Sequence, residues 1–88
     1  MFEIYPDWTV EILSPDQKAT KVISNILHLI KYGSQLGWLI DPDDRLILAF
    51  IAGQEPVELT GSDSLTMPKF LTLDLTVEQV FGWLKVGQ

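Results

Sequence analysis

Glu11 is the residue best placed by type to do chemistry. It lies in the run Pro6-Asp7-Trp8-Thr9-Val10-Glu11-Ile12-Leu13-Ser14-Pro15-Asp16-Gln17, where Trp8, Val10 and Ile12 alternate with Asp7, Thr9 and Glu11. Period two sends these sets to opposite faces of a strand. If Glu11's face turns toward the helix that follows, its carboxylate could serve as a metal ligand or an acid/base group, because hard divalent cations prefer oxygen donors. If it turns to solvent, Glu11 is a strand residue with no duty. Asp7 shares the face but stands four residues away, roughly 13 Å along a strand, too far to share one ion. Either Asp7 belongs to a bend or it lies outside Glu11's metal shell, and the better reading is a polar residue that starts the strand.

Other chemistry is thinly represented. His28 is the only histidine, and a single imidazole with no carboxylate near it in sequence makes no catalytic or zinc pattern. It reads as an exposed helix residue. Trp8, Trp38 and Trp83 fall in apolar segments and read as core or interface anchors rather than stacking platforms. The chain has no glycine-rich phosphate loop, nucleophile elbow or calcium-binding loop.

The elements that must position Glu11 follow from pattern. Ser14 fits a helix N-cap, Pro15 the first helical residue and Gln17 the capping-box partner, so the strand ends at Ser14 and a helix runs from Pro15 to about Tyr32. Along it Val22, Ile23, Ile26, Leu27, Leu29 and Ile30 recur at helical spacing. Gly33 fits the position past its end. A strand at 37–41, a proline-aspartate turn at 41–44 and a nearly continuous apolar strand at 45–52 predict a hairpin, with the second strand central in the sheet. Residues 57–60 form a further strand, 61–69 a loop, and 70–73 an apolar stretch. Thr76 and Gln79 open a final short helix as a second capping box, weakened by Gly82.

Composition bounds the rest. Eighty-eight residues make one domain with a small core. There is no cysteine, which excludes disulfides and thiolate metal sites and is compatible with a reducing cytoplasm. No apolar run approaches the length of a membrane span and no leader pattern opens the chain, so the expectation is a cytoplasmic protein without a membrane partner. Twelve acidic against six basic residues, a net charge of −6, oppose general nucleic-acid binding. Between Gln17 and Ile40 there is no acid, and Lys18, Lys21 and Lys31 fall there. The first helix is therefore locally basic, either a phosphate-facing patch or a solvated face. An apolar share of 47% is high for so small a domain and points to a surface covered by a partner.

The ordered combination PDWTVEILSP, a helix, then GSQLGWLIDP, with the later Pro56-Val57-Glu58 strand and the closing helix, resembles the Uma-two family of restriction-endonuclease-like proteins in the PD-(D/E)xK nuclease superfamily. The resemblance covers nearly the whole chain. It implies an α/β (α+β) restriction-endonuclease-like core with a mixed sheet of about four strands, one long helix and a short C-terminal helix. It also implies metal-dependent phosphodiester hydrolysis with Mg2+ or Mn2+, nucleic acid as partner if the chain is active, and Glu11 as catalytic carboxylate and metal ligand. The superfamily's lysine, two residues after that glutamate, is replaced here by Leu13. The family's alternative helical lysine aligns with Asn25, an amide without charge. Lys21 is the first candidate to compensate and Lys18 the second. Six helical steps past Pro15, about 9 Å of rise, bring Lys21 level with Glu11, whereas by azimuth Lys18 and Asn25 flank the apolar stripe and Lys21 lies almost opposite it.

Family members are longer, with an upstream strand that bears the principal metal-binding aspartate. The chain is thus expected to be a single truncated domain over residues 1–88, a nuclease-like protein lacking part of its active site. The alternative is a catalytically silent paralogue acting as a dimeric interaction module. Either way the strand bearing Glu11 is left with an open edge, which predicts a homo-oligomer or a partner that supplies the lost half.

Overall fold

Alternation at the N-terminal end is realised as strand β1, Trp8–Ile12, in a computed structural model that describes residues 7–68, 71 and 73–86, with side chains to Leu84. Helix α1 (Ala19–Lys31) follows, then β2 (Leu36–Asp41), β3 (Leu46–Ile51), β4 (Val57–Thr60) and helix α2 (Val77–Val86). The four strands form one sheet in sequence order. β1 runs parallel to β2 across the α1 crossover, while β2–β3 and β3–β4 are antiparallel. The expected α+β architecture with a mixed four-stranded sheet is therefore present. Lys69, Phe70 and Thr72, within the expected loop end and apolar stretch, lie outside the described residues, as does Pro6.

β2 and β3 are buried on both faces, which accounts for their nearly continuous apolar sequence. Val22 and Ile26 of α1 pack on Leu39 and Phe50, flanked by Leu13, Ile23, Ile30 and Leu48. On the opposite face Leu36, Trp38, Ile40, Ile47, Ala49 and Leu59 meet Val77, Val80 and Phe81 of α2 and Leu65 from the preceding loop. Trp38 donates its indole N–H to Thr66 O at 3.0 Å and meets the Trp8 ring edge-on at 4.9 Å between centroids. Trp83, by contrast, is 60% exposed, so it does not anchor the core of this chain.

α1 begins four residues later than the capping pattern predicts. Gln17 does turn back, accepting at Oε1 from the Ser14 N–H (3.0 Å), but the Gln17 N–H donates to Ser14 O and closes an isolated turn. Lys18 is then extended (φ −86°, ψ 126°) and occupies the N-cap without a side-chain bond. The chain leaves β1 in the plane of the sheet, and this turn plus one extended residue lifts it to the helix layer. At the other end Tyr32 caps α1 and Gly33 takes φ 126°, as its position predicts.

Candidate functional site

Register decides which way Glu11 faces. Glu11 pairs with Leu39 and Thr9 with Gly37. Leu39 and Leu13 belong to the cluster beneath α1, so Thr9, Glu11 and Leu13 share the α1 side of the sheet. Glu11 is half-buried there. α1 packs mainly over β2 and β3, so Thr9 and Glu11 lie on the α1 side of the sheet beside the helix.

The position of α1 along the strands is fixed by Gly37. A Cβ at Gly37 would collide with Ile26 Cγ2, so Ile26 sits directly over Gly37 and level with Thr9. Glu11, two residues further along β1, is about 6.6 Å higher. At ~1.5 Å per helical residue this is the level of residues 21 and 22. Lys21 therefore stands level with Glu11, and Asn25 close to the level of Thr9. A right-handed crossover, the rule for parallel β–α–β connections, turns the flank with Lys18 and Asn25 toward β1. Lys21 follows one step further round toward solvent. All three side chains are exposed, and among the described residues none forms an ion pair with Glu11.

Asp7 precedes β1 and is exposed, and its carbonyl accepts the Gln35 and Leu36 N–H groups at 3.0 Å. It joins no carboxylate to Glu11. Asp41 is occupied with its turn, its Oδ1 accepting from the Asp43 and Asp44 N–H groups. His28 is exposed on α1 beside Tyr32, their ring centroids 4.7 Å apart. Among the described residues no group of three or more carboxylates or imidazoles could hold a metal. Thr9 is the site residue that sequence reasoning passed over. Its Oγ1 is buried with no hydrogen-bond partner among the described residues, and its only signal in sequence is standing two residues from Glu11.

Residues 1–78, which include this β–α–β unit, match a family profile, that of Uma2, described as "Putative restriction endonuclease". The chain belongs to the Uma2 family. A crystal structure described as that of "a putative nuclease belonging to DUF820" from Anabaena variabilis ATCC 29413 superposes with a TM-score of 0.88 at 46% identity, over 94% of this chain and 48% of the other. The present chain thus spans about half the length of that relative. No functionally curated protein gives a significant match. No helix among the described residues is long and apolar enough to cross a membrane.

Proposed function

We propose that this Uma2 chain supplies one part of a metal-dependent nuclease centre, with Glu11 as a ligand for Mg2+ or Mn2+ and Lys21 as the cation that steadies the attacking water or the phosphate. The observation that carries the reading is the half-buried Glu11 carboxylate on the α1 side of β1, with Lys21 level with it. Carboxylate oxygen is the donor type such ions take, and a bound ion would supply Lewis acidity to a phosphodiester. One carboxylate does not make a cation site, however. Leu39 opposite Glu11 on β2 is buried and apolar, and α1 carries no acid. The remaining ligands would come from outside the described residues, beyond the outer edge of β1, with nucleic acid as substrate.

A second reading, a silent relative retained as a dimeric interaction module, is favoured by the same Leu39 and by the uncharged Asn25 on the flank nearest β1. Calorimetric titration with manganese separates the two. Binding to the native chain that is lost in Glu11→Ala supports the nuclease centre, and no binding to either protein removes it. Cleavage of a DNA substrate by Asn25→Lys, but not by Asn25→Lys combined with Glu11→Ala, would tie the reaction to Glu11.

A further inference from the structure

The cations of this acidic chain are gathered on one element. The net charge is −6, yet no acid stands between Gln17 and Ile40, and three of the six basic residues, Lys18, Lys21 and Lys31, fall there on α1 or at its N-cap. At 3.6 residues per turn Lys18, Lys21, Asn25, His28 and Tyr32 share about 80° of the helix circumference. All five are exposed, while Val22, Ile26 and Ile30 pack toward the sheet. The row is about 21 Å long at the helical rise per residue and follows the flank that turns toward β1, with Lys21 level with Glu11. Lys18 makes no side-chain bond as N-cap, and among the described residues neither Lys18 nor Lys21 forms an ion pair. At the far end the His28 and Tyr32 rings meet at 4.7 Å between centroids, Lys31 Nζ lies 5.8 Å from the Tyr32 centroid, and Tyr32 is 50% exposed.

We propose that this row binds single-stranded nucleic acid, with Lys18 and Lys21 on phosphates beside Glu11 and the His28–Tyr32 rings against a base further along the strand. The inference rests on the reading above for its partner, and deepens it by naming the form of nucleic acid and the surface that holds it. Charge selects the partner. Lysines without acidic partners displace counterions from a phosphate backbone, while the acids elsewhere in the chain repel it, so a polyanion gains only where it stays on this flank. Width selects the form. The row is narrow enough for one backbone, whereas a duplex presents two and would press the second against a chain of opposite preference. The ring pair agrees with this, because a base offers its face to an aromatic side chain when it is unpaired and unstacked, and closes it within a duplex.

Fluorescence anisotropy of a labelled oligothymidylate, free or annealed to oligoadenylate, tests this over a series of salt concentrations in EDTA. The single strand should bind more tightly than the duplex, and its log K should fall with log salt at a slope of about −1.4, the value for two phosphate contacts. Lys18→Gln should bring the slope to about −0.7 and Asn25→Lys to about −2.1. Thr20→Lys adds the same charge on the opposite flank of α1 and should leave the slope where it was. Tyr32→Ala should bind about 10-fold more weakly at an unchanged slope, as loss of one stacked base does. No binding of the single strand at low salt, equal affinity for the duplex, a slope that Lys18→Gln leaves unmoved, or equal slopes for Asn25→Lys and Thr20→Lys overturns the proposal. The lysine and glutamine variants all alter exposed positions, so they decide the matter even if Tyr32→Ala fails to fold. Because EDTA removes any metal, the two readings fail separately: manganese bound through Glu11 with no oligonucleotide bound overturns this inference alone, and oligonucleotide bound with no manganese removes the metal centre alone.

Discussion

Gly37 determines how closely α1 approaches the sheet, and with it the height of Lys21 relative to Glu11. Its missing side chain is filled by Ile26, which is fully buried and cannot withdraw. Gly37→Ala should therefore destabilise the domain by about 1–3 kcal/mol, the usual cost of overpacking. Combining it with Ile26→Leu, which removes the offending Cγ2, should recover part of that loss as a favourable coupling. Urea denaturation of the four proteins measures both, and a Gly37→Ala midpoint equal to wild type would sink the argument. The glycine could not be read this way from sequence, where it looks like the first residue of a strand; its role depends on a helix residue eleven positions earlier. Glu11 was legible because alternation alone assigns its face. Which layer that face meets was not, since it depends on where the crossover carries α1.

Two capping boxes look alike in sequence and behave differently in the fold. At Thr76 both halves form: the Gln79 N–H donates to Thr76 Oγ1 at 3.2 Å and the Thr76 N–H to Gln79 Oε1 at 2.8 Å, and α2 starts at the next residue. Backbone bonds from Glu78 to Gly61 O and Val77 to Asp63 O dock that start on the end of β4. At Ser14 only a turn results, because the chain must climb from strand to helix before it can coil. Thr76→Ala should cost about 1 kcal/mol, whereas Ser14→Ala should change the thermal midpoint little, since Ser14's hydroxyl caps no helix. Arg45 adds a third, opposed case. It holds φ 52° between β2 and β3 and lays its guanidinium 5.0 Å from the Phe81 ring centroid of α2. Arg45→Ala keeps the unfavourable backbone and loses the ring contact, so it should cost about 0.5–1 kcal/mol. Arg45→Gly relieves the backbone and should be the more stable of the two variants by about 1 kcal/mol. Equal melting of the two would show that the backbone at Arg45 is not strained.

At the scale of the molecule β1, the end strand of the sheet among the described residues, connects stability to assembly. The order of elements along the chain, the buried hairpin and the two helices were legible in the sequence because periods of two and 3.6 are local signals. That β1 lies at one end of the sheet formed by the described residues follows only from the sheet order, which short-range patterns do not carry. If β1 pairs with its own copy, folding and association are linked, and the folded state is favoured by mass action. With an unfolding enthalpy of roughly 0.7 kcal/mol per residue, a dimer of chains this size should gain about 4 °C in Tm for each tenfold rise in protein concentration. Val10→Lys should abolish that dependence while leaving the low-concentration Tm near the wild-type value, because Val10 is already 44% exposed in the single chain. Scanning calorimetry across two decades of concentration provides the measurement. A wild-type Tm independent of concentration would mean that the two sheets do not meet.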